Sequence, residues 1–210
     1  VYIDAASASI SDISFASGTY KVGDVVYGTF TADDDNYASA DHTFTINGRS
    51  ISASDFGNIG SNSYSLSFTV QEGDNDVAGI GSLTYNLATT DPLDNNSITY
   101  DENSIVAATK GGSAFHIDGG SPTVSAVEVE SGDFKIGDFV SVTITGNEPG
   151  LNLDYASING NTVTDFTDWG GGEYEATYTV VSGHNDIDDL SSLTLTTNFS
   201  LADDAGNMSN

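Results

Sequence analysis

The chain has 210 residues, no cysteine, and 31 Asp and Glu against 4 Lys and Arg, a formal charge of −27 at pH 7. That balance repels phosphate backbones and anionic lipid heads, which argues against nucleic-acid and membrane-surface partners; the missing cysteines exclude disulfides, thiolate metal sites and cysteine nucleophiles. No apolar run of about 18 residues and no basic-then-apolar leader pattern occurs, so no membrane insertion is expected within this segment.

Taken in chain order, VYID (ending at Asp4) reads as the tail of a preceding linker, and SGTYKVGDVV (17–26) follows with a Lys-x-Gly-Asp turn at Asp24. ADDDN, with Asp33, Asp34 and Asp35, is a polar loop, and Ile-Asn47-Gly is a hairpin signal. Tyr64, Leu66, Phe68 and Val70 alternate with Ser and Thr, the period of a strand with one buried face. GDND (73–76) then sets Asp74 and Asp76 in a turn, Leu83, Tyr85 and Leu87 resume the alternation, and DPLDNN (91–96) places Asp91 and Asp94 in the next loop. A segment of 22 residues, SITYDENSIVAATKGGSAFHID, runs on to Asp118, and Gly119, Gly120 and Pro122 punctuate the chain there.

The pattern then starts again. SGDFKIGDFV (131–140) matches SGTYKVGDVV at six of ten positions with an offset of 114, which pairs Asp138 with Asp24 and Asp118 with Asp4. The offset is 112 at the two Ile-Asn-Gly turns (Asn47, Asn159) and 110 at GDND against GHND, where Asp186 answers Asp76. Val140, Val142 and Ile144 alternate as a strand, as do Tyr174, Ala176, Tyr178 and Val180. No segment sustains a 3.6-residue period. The expectation is all-β, two tandem immunoglobulin-like β-sandwich domains of about seven strands, at 1–118 and 119–210. Asn210 stands near the equivalent of Asn96, so the second unit is expected to lack its last strand, either as part of a longer array or as a filament subunit receiving that strand from a neighbour.

The order of KxGD, an aromatic-Thr-Val strand, GDND or GHND, LT, then DDAGN (203–207), with a linker Ile-Asp before SPTV, resembles the immunoglobulin-like repeats in the extender region of giant bacterial surface adhesins of the RTX or biofilm-associated type. The likeness spans nearly the whole chain, though the first unit reads DPLDN where the second reads DDAGN. It implies a secreted, cell-surface, mechanical and non-enzymatic role, with neighbouring repeats of the same chain as partners.

Loops of a sandwich alternate between its two ends. KxGD (Asp24, Asp138) and GxND (Asp74, Asp76, Asp186) therefore fall at the outgoing end of each unit. ADDDN, DPLD (Asp91, Asp94), Glu148, Asp203 and Asp204 fall at the incoming end. Carboxylates at this density are either hydrated and screened by salt or hold hard cations, and Ca²⁺ takes six to eight oxygen ligands of this kind. Head-to-tail stacking would bring these acids together around the linker aspartates Asp118 and Asp4, a repulsive seam unless calcium bridges it. The bland alternative for GxND is a turn whose side chains bond only their own backbone.

His42, His116 and His184 occur in unrelated contexts, and no GxSxG, HExxH or phosphate-cradling loop is present. Trp169, in DWGGGEY, is readable either as a sugar-stacking aromatic of a glycan-binding module or as a cap on the core at a strand start. Thr194 and Thr196 could form a solvent-facing ladder, and Asn95, Asn198 and Asn207 stand in N-x-S sequons at about the frequency chance gives.

Overall fold

The computed structural model describes residues 1, 3–34, 37, 42–91, 93–163, 165–189 and 199–209, the side chains of residues 112 and 113 aside. Asp35, Thr194, Thr196, Asn198 and Asn210, all singled out in the sequence, lie outside the described residues. The chain divides into two compact units, Val1–Gly120 and Ser121–Asn210.

In unit 1 the strands are β1 (Ile10–Tyr20), β2 (Val25–Ala32), β3 (Thr43–Ile46), β4 (Arg49–Ser50), β5 (Phe56–Gly60), β6 (Ser63–Thr69), β7 (Tyr85–Ala88), β8 (Tyr100–Asp101) and β9 (Ala108–Ile117). One sheet has the order β5-β6-β2-β1-β9 and the other β4-β3-β7-β8. All pairings are antiparallel except β1 with β9. The run β5-β6-β2-β1 reproduces the D-E-B-A order of an immunoglobulin-type sandwich, with β3 and β7 as the C–F pair. The two-residue strands β4 and β8 raise the number above the expected seven. Regular helix among the described residues is confined to the 3-10 turns Ala53–Asp55 and Ile80–Ser82.

The period-two residues face inward as expected. Tyr64, Leu66, Phe68 and Val70 are buried, and so are Leu83, Tyr85 and Leu87. Aromatic rings fill the middle: Tyr64 stacks on Phe30 and Phe56 at 5.1 and 5.3 Å, and Phe44 meets Phe30 edge-on at 5.3 Å. Such contacts add to the large area these rings remove from water.

Unit 2 contains β10 (Val124–Val129), β11 (Phe139–Gly146), β12 (Asn152–Tyr155), β13 (Ser157–Ile158), β14 (Asn161–Thr162), β15 (Asp165–Gly170), β16 (Glu173–Thr179) and β17 (Ser200–Ala202). Its main sheet, β10-β11-β16-β15, repeats the run β1-β2-β6-β5. Phe166 stacks on Tyr174 at 5.4 Å and 10°, as Phe56 stacks on Tyr64 at 5.3 Å and 9°. Val140, Val142, Ile144, Tyr174, Ala176 and Tyr178 are buried and Val180 is partly so.

Candidate functional site

At the outgoing end of unit 1 the KxGD motif closes a four-residue turn: the Asp24 N–H donates to Lys21 O (3.0 Å), while the Asp24 carboxylate accepts the Lys21 N–H (3.0 Å). Gly23 takes φ +92° at the third position, where glycine avoids the Cβ penalty. Lys135-Ile-Gly-Asp138 repeats both bonds at 2.9 Å, with Gly137 at φ +96°.

GDND uses the same device. The Asp74 N–H donates to Gln71 O (3.0 Å), and Asp74 Oδ2 accepts the Gln71 N–H (2.8 Å), with Gly73 at φ +83°. Asp74 Oδ1 receives Arg49 Nε and Nη2, each at 2.5 Å, and the Asp74 side chain is 5% exposed. In unit 2 both partners change together: Asn161 stands at the position of Arg49 and His184 at that of Asp74. There His184 Nδ1 accepts the Val181 N–H (3.4 Å) and the Tyr178 hydroxyl adjoins the same nitrogen, so an imidazole acceptor closes the turn in place of a carboxylate.

The Ile-Asn-Gly hairpins brace these turns from the side. Asn47 Nδ2 donates to Asn75 O (2.9 Å) and Asn159 Nδ2 to Asn185 O (2.8 Å). The Gly119 N–H donates to Asp76 Oδ1 (3.0 Å), its carbonyl accepts the Gly73 N–H (2.8 Å), and the Asp118 N–H donates to Tyr20 O (2.8 Å). KxGD, GxND and the Asp118 segment thus meet at one end of unit 1.

The acids assigned to the incoming end are tied in pairs related by the repeat. Asp91 accepts the Leu93 and Asn95 N–H groups (2.8 and 2.9 Å) and Asn95 Nδ2 (2.9 Å). Asp203 accepts the Asn207 N–H and Nδ2, both at 2.9 Å. DPLDN and DDAGN are therefore one motif, with Asp94 at φ +65° where Gly206 has +87°. The bridges Thr90–Asn96 and Ala202–Met208 align Asn96 with Met208. Burial alone would raise the Asp91 pKa, but the bonds from Asn95 and Leu93 outweigh it and hold the carboxyl below its ordinary value. Asn95 and Asn207, two of the sequon asparagines, use their amides as donors in these loops.

A buried tyrosine pins the neighbouring loop in each unit. The Tyr64 hydroxyl donates to Asp34 O (2.8 Å) and accepts the Tyr37 N–H (3.0 Å); the Tyr174 hydroxyl donates to Glu148 O (2.7 Å) and accepts the Leu151 N–H (3.0 Å). Asp33 receives the Ser9 N–H (3.0 Å) as Asn147 receives that of Thr123 (2.7 Å). For Asp33 too, burial pushes the pKa up and hydrogen bonds from Tyr37 and Ser9 pull it below the usual range.

Asp4 and Asp118 each accept the N–H two residues on, from Ala6 (3.0 Å) and Gly120 (3.2 Å). Of the twelve acids assigned to calcium, eight (Asp4, Asp24, Asp74, Asp76, Asp91, Asp118, Asp138 and Asp203) accept a backbone N–H from their own unit. Asp94, Asp186 and Asp204 are exposed, and Glu148 is half-buried. Among the described residues no group of three or more His, Asp or Glu side chains converges to hold a metal ion.

Trp169 sits near the end of β15 and is 67% exposed, so it does not cap the core; its indole N–H donates to Glu175 Oε2 (3.3 Å). Signals for the bracing residues were thin. Arg49 is the one arginine in the chain, and Asn47 and Asn159 recur at matching places, but neither fact names a partner.

No family model matches the sequence, and no curated protein matches it. Among solved structures, the chain is similar to a chimeric titin Z1Z2–Z1Z2 tandem functionalized with an exogenous GRGDS peptide from fibronectin, at 14% identity over 83% of this chain and 85% of that one, with a TM-score of 0.25.

Proposed function

We propose that this chain is a structural spacer, two extender modules of a bacterial cell-surface adhesin that hold a distal binding domain away from the cell. The observation that carries this reading is the duplication of the loop bonds themselves. Turns at both ends of each unit are closed by their own side chains and backbone, in the same way twice, which makes stiff ends rather than adaptable ligand loops.

Calcium at the junctions between repeats belongs to the same proposal. It rests on the charge of −27, the linker aspartates Asp4 and Asp118, and the acids Asp76, Asp94, Asp186, Asp204 and Glu148. At Asp74 a cation would have to displace the Arg49 ion pair. Small-angle scattering tests the idea: the maximum dimension of the wild-type chain should be larger in millimolar calcium than in chelator, and Asp118→Ala should remove most of that difference. Equal dimensions in both conditions would refute the calcium junction.

The exposure of Trp169 favours a second reading, a glycan-binding module. Glycan-array signal lost on Trp169→Ala would establish it, whereas a spacer gives no signal that this substitution removes.

A further inference from the structure

The outward face of the main sheet of unit 2 differs in chemistry from the same face of unit 1. Across its four strands Glu128 stands beside Thr143, Thr143 beside Glu175 and Glu175 beside Thr167. The alternate residues Val142, Ala176 and Phe166 turn toward the core, so this row faces solvent. Its counterparts in unit 1 are Ser14, Thr29, Ser65 and Gly57, a neutral row, and on the same strands Glu173 replaces Ser63 and Trp169 replaces Ile59. Unit 1 builds the same sheet without these groups, so neither the carboxylates nor the indole is needed to form it.

Trp169, the one tryptophan of the chain, is 67% exposed, and its indole N–H donates to Glu175 Oε2 (3.3 Å). That bond ties the ring to the outward face, beside a carboxylate that keeps a second oxygen for another donor. On the same face Glu128, Glu130, Ser141, Thr143 and Glu175 line a depression of about 360 Å³. Unit 2 has one Lys or Arg, Lys135, and it pairs with Asp138 in the KxGD turn.

An exposed indole takes either the apolar face of a ring or a cation over its own face, and a carboxylate at its edge favours the cation. The hydroxyls of Ser141, Thr143 and Thr167 both donate and accept, which suits a ligand rich in hydroxyls. A polypeptide main chain finds less here, because the backbone groups of β11 and β16 are already engaged in the ladder on both sides.

We propose that this face binds an amine-bearing sugar, a glycan whose amino groups are not acetylated. Trp169 stacks on a ring, Glu175 pairs with its ammonium group, and Thr143 and Thr167 bond its hydroxyls. The inference rests on the glycan-binding reading of Trp169 and adds the class of sugar.

The test titrates the full 210-residue chain with a β-1,4-linked glucosamine hexamer and with its N-acetylated equivalent, at about pH 6, where glutamate is ionised and the sugar amines carry charge, and at about 0.15 M salt to suppress non-specific attraction. Fluorescence of the single tryptophan reports contact at Trp169 directly, and calorimetry compares the variants. Saturable quenching by the glucosamine hexamer is expected, with the acetylated hexamer at least about tenfold weaker. Trp169→Ala should weaken binding at least about tenfold and Glu175→Gln about fivefold. Asp12→Asn, which removes one exposed carboxylate from unit 1, should leave it unchanged. Equal binding of both hexamers, lost in Trp169→Ala, would overturn the choice of amine while leaving the glycan reading standing. Quenching by neither hexamer would overturn both. A loss in Glu175→Gln no greater than in Asp12→Asn would overturn the proposal by assigning the attraction to overall charge, and displacement by a lysine hexamer at equal concentration would overturn it by assigning the face to a basic peptide.

Discussion

Phe15 and Gly28 face each other across β1 and β2, and their repeat counterparts, Val129 and Val142, face each other across β10 and β11. The ring in unit 1 occupies the space that a side chain at position 28 would need: a Cβ on Gly28 would lie 2.7 Å from Leu66 Cδ1 and 2.8 Å from Phe15 Cε1. Gly28→Val alone is expected to destabilise unit 1 by about 1–3 kcal/mol through overpacking. The triple variant Phe15→Val, Gly28→Val and Leu66→Ala should recover most of that loss, because it installs the Val129, Val142 and Ala176 arrangement that unit 2 already has. Urea unfolding of wild type, Gly28→Val and the triple variant checks it, and a triple variant as unstable as the single one would disprove the compensation. At the same scale, Asp91 links folding to pH. Its folded pKa lies below the ordinary carboxylate value, so its contribution is present above about pH 4, the unfolded value, and is lost as pH falls through the folded pKa. Melting between about pH 4 and 2 should therefore decline less steeply for Asp91→Asn than for wild type.

At the scale of the element, one turn design recurs four times. Gly23, Gly73, Gly137 and Gly183 sit at its third position, with φ between +83° and +96°. The fourth residue, Asp24, Asp74, Asp138 or His184, turns its side chain back on the N–H of the first. The bond satisfies a donor at a strand end that would otherwise depend on water. Asp138→Ala should cost unit 2 about 1.5 kcal/mol, the low end of the range for a hydrogen bond to a charged group, because the carboxylate is partly exposed. Asp138→Asn, which keeps an oxygen acceptor, should cost less, and chemical denaturation would order the two. Equal losses would mean that the ion pair of Asp138 with Lys135, at 3.6 Å on the surface, matters more than the turn bond.

For the whole molecule the governing quantity is a charge of −27 spread over two units. Self-repulsion at this level weakens the folded state, and either screening or specific cations relieve it. If calcium binds the folded chain, millimolar calcium should raise the melting temperature above that in chelator at matched ionic strength, and by more than magnesium does, since magnesium demands stricter octahedral geometry. Identical melting in calcium, magnesium and matched monovalent salt would reduce the effect to screening.

Two properties were legible in the sequence because both are local. Period-two burial needs only the alternation of a strand, which Tyr64 to Val70 display, and tandem duplication needs only two matching strings. The turns were legible for the same reason, since a positive φ at the third residue selects Gly wherever it occurs. What closes and braces the turns was not legible. Arg49 reaches Asp74 across 25 residues, Asn47 reaches Asn75 across 28 and Tyr64 reaches Asp34 across 30. A hydrogen-bond partner at that separation exists only after the strands have stacked. The abundance of carboxylates pointed to cations, yet eight of the twelve assigned acids accept backbone N–H groups of their own unit. Composition counts charges and does not say which N–H groups the fold will aim at them. The sequence by itself determined an all-β tandem built on repeated turns. Only the tertiary structure decided that DPLDN and DDAGN are one loop and that Trp169 faces solvent, because each depends on which strand lies beside which.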